Sequence, residues 1–271
     1  MQYKLVICDM DGTLLTSKHT ISEYSRNIIS KLNEKGIIFV IATGRPYLDA
    51  NFFKNQLGLK SFLITSNGAV AHNEKDEEII SEKISWEHVN RILDFEVNKE
   101  DYHRNIYKNN NWYIEYKIEG LDEFHAESGF PYQIENFNKF KNDDITKFFY
   151  LGHSEKIQIL EHRLKDEFSK DLTITISSSF CIELLRKGTN KGNTVKKIAE
   201  YLNIPLENTV AFGDGLNDYE MLSSVGKGFI MENANTRLKE KLPHLEVIGN
   251  CDEDGVAKKL EELFLINKNN N

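Results

Sequence analysis

The residues whose types and spacing could do chemistry fall in five short clusters. The first is Asp9-Met10-Asp11-Gly12-Thr13, directly after an apolar run from Tyr3 to Cys8. Two carboxylates two positions apart project to the same side of an extended chain, and Gly12 permits a sharp turn beside them. Carboxylates this close repel when both are ionised, so one holds a proton unless a cation neutralises the pair. That divides the labour. One anionic aspartate serves as nucleophile or hard-metal ligand, and the other holds or passes a proton. The competing reading is a turn in which Asp11 and Gly12 only bend the chain.

The second cluster is Ala42-Thr43-Gly44-Arg45. A hydroxyl and the free N–H groups that open a helix suit an anion such as phosphate. Helix capping by Thr43 explains the same residues equally well. The third, Ser66-Asn67-Gly68, is a small polar turn that could touch substrate and, taken alone, is just a turn. The fourth is Lys191 in Thr189-Asn190-Lys191-Gly192. A lysine at a helix start is electrostatically misplaced, so it faces a carboxylate or phosphate, or else is a solvated surface side chain.

The fifth cluster, Phe212-Gly213-Asp214-Gly215-Leu216-Asn217-Asp218, puts two aspartates four apart on a glycine-rich turn. Oxygen ligands of this kind select Mg²⁺, which favours carboxylates, water and substrate phosphate. The alternative is an Asx-rich loop that caps the next helix. The eight histidines are scattered without zinc-ligand spacing.

These clusters need strand tips to hold them. Tyr3–Cys8, Ile37–Ala42, Ser61–Thr65 and Thr209–Phe212 read as buried strands, with Lys227–Met231 as one more. Helices are expected over Ser22–Lys35, Pro46–Leu57, Lys191–Leu202, Asp218–Ser223 and Gly255–Phe264. Unbroken apolar strands separated by helices mean a parallel sheet covered on both faces, with ligands outside the strands' carboxyl ends.

The middle of the chain changes character. It offers a helix over Ser85–Asn98, a hairpin of Asn105–Lys108 with Trp112–Lys117, a strand at Phe148–Leu151 and a helix over Lys156–Phe168. Leu172–Ile176 and Cys181–Leu185 follow as two strands about a Ser-Ser-Ser turn. The expected architecture is an α/β, Rossmann-like, doubly wound parallel-sheet core with an inserted α+β unit. The core takes residues 1–83 and 188–271, and the insertion takes 84–187. The Asn-rich end, Asn267–Asn271, reads as a frayed tail.

Composition sets the outer limits. The 271 residues, 40% hydrophobic and 28% charged, describe an ordinary globular chain and exclude disordered and fibrous classes. A net charge of −8 argues against nucleic acid or an anionic membrane as partner. The longest apolar run, Ile37–Ala42, is far short of the ~20 residues a membrane span needs. Cys8, Cys181 and Cys251 show no CxxC spacing and read as reduced thiols. With no signal-peptide layout after Met1, a cytoplasmic location is expected.

DMDGT at 9–13, ATGR at 42–45, SNG at 66–68, the lysine of TNKG at 189–192 and GDGLND at 213–218 together resemble the ordered motifs of the haloacid dehalogenase superfamily. Within it they resemble the Cof-type sugar-phosphate phosphatases, whose large α/β cap matches the insertion in position and size. The resemblance covers almost the whole chain and is specific for fold and reaction, not for substrate. It implies a Mg²⁺-dependent phosphatase of small phosphorylated metabolites. Asp9 would be the nucleophile that forms an aspartyl-phosphate, and Asp11 the acid and base. Mg²⁺ would be held by the Asp9 carboxylate, the Asp11 backbone carbonyl and Asp214, with Asp218 in outer-sphere support. Thr43, Gly44 and Lys191 would hold the phosphoryl oxygens, and Asn217 would orient phosphate or lysine. Arg45 and Asn67 are further candidate substrate contacts. True dehalogenases of the superfamily lack the second aspartate, so Asp11 disfavours carbon–halogen cleavage.

Two other functions remain open at this level: a phosphotransferase or mutase of the same chemistry, and a non-catalytic sensor of a phosphorylated metabolite. Neither nucleic acid nor membrane is expected as a partner. A monomer is the default, with a dimer as the alternative. Tyr102, Trp112, Phe130 and Tyr132 in the insertion read as packing residues, and no residue there is assigned to substrate.

Overall fold

The structure is a computed structural model and describes residues 3–266 apart from 59 and 124. The expected tail at Asn267–Asn271 lies outside the described residues.

An eight-stranded sheet forms the larger layer, built from both ends of the chain. Its strands are β1 (Leu5–Cys8), β2 (Ile38–Ala42), β3 (Phe62–Thr65), β4 (Val70–His72), β5 (Glu78–Ser81), and, after a long excursion, β12 (Thr209–Gly213), β13 (Lys227–Met231) and β14 (Glu246–Ile248). Their spatial order is β14-β13-β12-β1-β2-β3-β4-β5. The six strands from β14 to β3 run parallel, whereas β4 and β5 add on antiparallel. The sheet is therefore mixed at one edge, not parallel throughout as the apolar runs suggest. The difference has a local cause. Ser66 and Asn67 both take left-handed conformations, at φ 48 and 53, and Gly68 follows at φ 97, so the chain doubles straight back after β3.

The core strands are fully apolar because helices cover both faces: α1 (Glu23–Glu34), α2 (Tyr47–Gln56), α5 (Lys191–Tyr201), α6 (Tyr219–Ser224), α7 (Thr236–Lys241) and α8 (Gly255–Phe264). Ser22 caps α1 by accepting from the Ser25 N–H, and Gly36 lies just past its end at φ 76. Leu5–Cys8, Val40–Ala42 and Val210–Phe212 are at most 1% exposed. A strand buried on both faces needs this continuous apolar run.

The excursion between β5 and α5 forms a second sheet of six strands: β6 (Tyr102–Lys108), β7 (Asn111–Ile114), β8 (Tyr132–Ile134), β9 (Lys147–Gly152), β10 (Leu172–Ser178) and β11 (Cys181–Arg186). Its order is β10-β11-β9-β6-β7-β8, antiparallel except for β7 with β8. Two helices, α3 (Trp86–Asp94) and α4 (Ser154–Phe168), belong to this unit. It owns a separate core around Tyr150, Phe148, Phe168 and Leu164. Tyr102, Trp112 and Phe130 are buried in the unit, as packing residues are. All three cysteines are free and buried. No described helix is long and apolar enough to cross a membrane.

Candidate active site

The five clusters meet at the carboxyl edge of the large sheet. Strand β1 is central, with β12 on one side and β2 on the other, so the residues after these strands become neighbours. The Asp9 N–H continues the β1–β12 ladder to the Phe212 carbonyl at 3.0 Å. The Thr43 N–H does the same from β2 to the Ile64 carbonyl at 2.9 Å. Asn67 N–H then donates to the Thr43 carbonyl at 3.0 Å, and Ser66 N–H to the Arg45 carbonyl at 2.8 Å, which ties the two loops together.

Lys191 is the electrostatic centre. It opens α5, where the helix dipole disfavours a cation, yet it is completely buried. The structure removes the contradiction. Its ammonium donates to Asp9 Oδ1 and, at 2.6 Å, to Asp218 Oδ1. Burial alone would lower its pKa, but the Asp218 and Asp9 charges outweigh burial and hold it above the usual lysine range.

Asp218 is spoken for elsewhere as well. Its Oδ2 accepts from the Asp214 and Gly215 N–H groups, both at 2.9 Å, which fixes the glycine-rich turn. It therefore supports Asp214 and Lys191 from below, with both its oxygens engaged.

Asp9, Asp214 and Asp218 each offer a carboxylate oxygen within 4.8 Å of the others. Burial, then the Asp218 charge, raises the Asp9 pKa well above the usual carboxylate range. The same causes push Asp214 up to about 7. A largely buried set of hard oxygen donors whose own charges repel fits a divalent cation. Gly12, at φ 73, keeps Asp214 in place: a Cβ there would lie 2.6 Å from Asp214 Oδ2. We expect Gly12→Ala to weaken cation affinity at least about 10-fold, since φ strain and the clash act together. Calorimetric Mg²⁺ titration checks it.

The raised pKa values have a sign that can be tested. A carboxylate whose folded pKa exceeds its unfolded value stabilises the fold below the unfolded value, and that stability is lost as pH rises through the folded pKa. For Asp214 the window runs from 3.8 to about 7. Metal-free protein should therefore lose thermal stability as pH climbs through this range. The stabilisation from added Mg²⁺ should grow from pH 6 to pH 8, because fewer protons compete. Melting curves with Mg²⁺ and with EDTA measure both trends; a Mg²⁺ shift that shrinks with pH would contradict the assignment.

Asp11 stands apart from the acidic cluster. Its carboxylate accepts from Arg45 at 2.5 and 2.8 Å, with His19 Nδ1 3.7 Å away. Burial would raise its pKa, but the His19 and Arg45 contacts outweigh it and hold Asp11 below the usual carboxylate range. Its side chain is not one of the clustered ligands. Arg45 also reaches Asp49 at 3.1 Å, so both ends of its guanidinium are committed within the protein. Thr43 is buried, and its Oγ1 accepts the Arg45 N–H at 3.1 Å. That leaves the Thr43 hydroxyl hydrogen for an anion. Asn217 Nδ2 donates to Asn67 Oδ1 at 2.9 Å.

Over these residues the second sheet forms a roof, enclosing a cavity of about 420 Å³. Asp9, Asp11, Thr43, Gly44, Arg45, Asp214 and Asn217 line its floor. Tyr107, Lys147, Phe149, Ser177, Phe180 and Glu183 line its upper wall. Asn67, Lys191 and Asp218 sit behind the floor and reach the cavity through their partners. No residue of the roof stands out in the sequence as part of a site. A signal was present: Lys147 opens one apolar strand and Glu183 lies inside another, and both are only 3% exposed.

A cavity-lining carboxylate paired with a buried lysine, an acidic cluster at the tips of a doubly wound sheet, and a roof over both suit the handling of a phosphoryl group. The comparisons make the family explicit: residues 6–260 match the family model described as haloacid dehalogenase-like hydrolase, and the chain belongs to that family. It is 34% identical over 266 residues to a Haemophilus influenzae protein, covering 97% of this chain and 98% of that one. It is 32% identical over 260 residues to the HMP-PP phosphatase of Serratia proteamaculans, covering 96% and 94%. A solved haloacid dehalogenase-like hydrolase from B. subtilis superimposes with TM-score 0.86 at 30% identity, over 96% of this chain and all of that one. The protein is a phosphatase of the haloacid dehalogenase type.

Proposed function

We propose that the protein is a Mg²⁺-dependent phosphatase of small phosphorylated metabolites, sugar phosphates first among them, that works through an aspartyl-phosphate on Asp9. The observation that carries this reading is the placement of Asp9. Its carboxylate lines the cavity floor, bonded by the Lys191 ammonium and next to Asp214. Residues 84–187 act in this reading as a cap. The three free thiols fit a reducing, cytoplasmic setting, and a monomer suffices for the site.

Each residue then has a task. An Asp9 oxygen attacks phosphorus, the ester P–O bond breaks, and Asp11 gives a proton to the departing alkoxide. In the second half Asp11 takes a proton from water, whose oxygen attacks the same phosphorus. The P–O bond to Asp9 breaks and the free carboxylate returns. The Thr43 hydroxyl, the Gly44 loop and Asn217 hold phosphoryl oxygens, while Lys191 offsets charge in both halves. Asp9, Asp214 and the Asp11 backbone carbonyl would hold Mg²⁺, which screens the approach of one anion to another. Arg45 keeps Asp11 ionised in the empty site, the form the second half needs; for the first half Asp11 must take up a proton from solvent as substrate enters, and it recovers that proton from water in the second half.

A cavity of about 420 Å³ admits one small ester and excludes a folded protein. The direct test is phosphate release from sugar phosphates, nucleotides and the HMP-PP of the named relative, with Mg²⁺ and with EDTA. Mg²⁺-dependent release from one compound class supports the reading. No release from any compound by folded, Mg²⁺-loaded protein would sink it.

A further inference from the structure

The upper wall of the cavity holds a buried ion pair that the chemistry above does not use. Lys147 opens β9 and Glu183 lies in the adjacent β11, with Lys147 Nζ 3.1 Å from Glu183 Oε1. Each also crosses to the core. Lys147 donates to the Gly44 carbonyl at 2.8 Å, and Glu183 Oε2 accepts from Asn67 Nδ2 at 2.6 Å. The Lys147 ammonium further sits 4.7 Å from the Tyr107 ring centre and 5.0 Å from that of Phe149. A pair this dry is stable only if additional hydrogen bonds complete it. Here the completing groups lie on the loops that follow β2 and β3 of the large sheet.

We propose that Lys147 and Glu183 form a clasp that closes with the cap and sets the phosphate-facing groups of the core. This rests on the phosphatase reading and adds positioning residues to it. The route is short on each side. Lys147 fixes the Gly44–Arg45 peptide, whose N–H donates to Thr43 Oγ1 and so aims the Thr43 hydroxyl hydrogen elsewhere, toward an anion. Glu183 accepts only, so it forces the Asn67 amide to present nitrogen to it and oxygen to Asn217. With the cap lifted, water replaces both contacts and neither orientation is enforced. Closure and assembly of the phosphate site are thus one event. Because all its polar contacts are internal, the pair aligns the core and does not read the leaving group.

The experiment uses full-length Lys147→Met, Glu183→Gln and Asn67→Ala, plus the double variant Glu183→Gln/Asn67→Ala. Where a lone buried charge prevents folding, Lys147→Met/Glu183→Leu removes both charges together. Phosphate release should fall about 10- to 100-fold in kcat, the worth of a buried charge-assisted hydrogen bond, by the same factor for every ester the wild type accepts. The double variant with Asn67→Ala should lose no more than its worse single member, since Glu183 acts through Asn67. Independently of activity, amide exchange in residues 42–46 and 65–69 should quicken by about 10-fold or more in Lys147→Met/Glu183→Leu. A loss that depends on the leaving group would make the pair a substrate reader and overturn the clasp, as would unchanged exchange. A wild type that releases no phosphate would refute the phosphatase reading, while the exchange measurement still decides the clasp.

Discussion

Replacing Asp9 with Asn is expected to lower phosphate release by at least about 10⁴-fold, because an amide cannot form the acyl phosphate and nothing else takes its place. The fold should not suffer. Burial and the Asp218 charge disfavour ionised Asp9 in the native state, so its charge costs stability above the unfolded carboxylate pKa. A neutral amide removes that cost, and Lys191 keeps Asp218 as its partner. Melting temperature in EDTA should hold or rise while activity vanishes. A variant that lost activity and stability together would make Asp9 a structural residue instead.

Lys191→Met has the opposite profile. Lys191 and Asp218 are both fully buried, and the lysine is the cation shared by Asp218 and Asp9. Its removal leaves two acids without a counter-charge, a loss of about 3 kcal/mol or more in denaturant unfolding without metal. Activity should drop about 10²- to 10³-fold even where Mg²⁺ restores the fold, because charge in the transferring phosphoryl group goes unbalanced. Lys191→Arg should not rescue it, since a planar fork cannot replace a compact ammonium between two carboxylates. Full stability in EDTA with Met at 191 would show that the ion pairs contribute nothing to the fold.

The parallel heart of the fold was legible because strands buried on both faces leave continuous apolar runs. Lys227–Met231 and Gly255–Phe264 are strand and helix over the ranges the sequence suggests. The edges were not legible. Val70–His72, Glu78–Ser81 and Glu246–Ile248 are strands of three or four residues; the second of these is only half-buried and the third mostly exposed. Lone polar neighbours hide such strands from any periodicity. The reversal after β3 depends on left-handed Ser66 and Asn67, and serine gives no warning of that conformation.

The site divides in the same way. Its floor follows from residues that come directly after predicted strands, so local sequence carries them. Arg45 reads in the sequence as a possible substrate contact, whereas the structure divides its guanidinium between Asp11 and Asp49. Lys147 and Glu183 lie 36 residues apart, with partners 103 and 116 positions away in the core. Only tertiary folding brings those four groups together. A charge within an apolar strand, Glu183, and one opening another, Lys147, were the clues, and they say that a partner exists without saying where.

The proposed chemistry turns on a covalent bond between Asp9 and phosphorus. An Asp11→Asn variant keeps the nucleophile but lacks both the acid and the base, so with an aryl phosphate, whose leaving group needs no proton, it should accumulate phosphoenzyme on brief exposure to substrate and Mg²⁺. Borohydride reduces an acyl phosphate to the alcohol. Peptide mass spectrometry after that treatment should find homoserine at position 9 and aspartate unchanged at 214 and 218. Reduction at another position, or none while Asp11→Asn still turns over, would contradict the account.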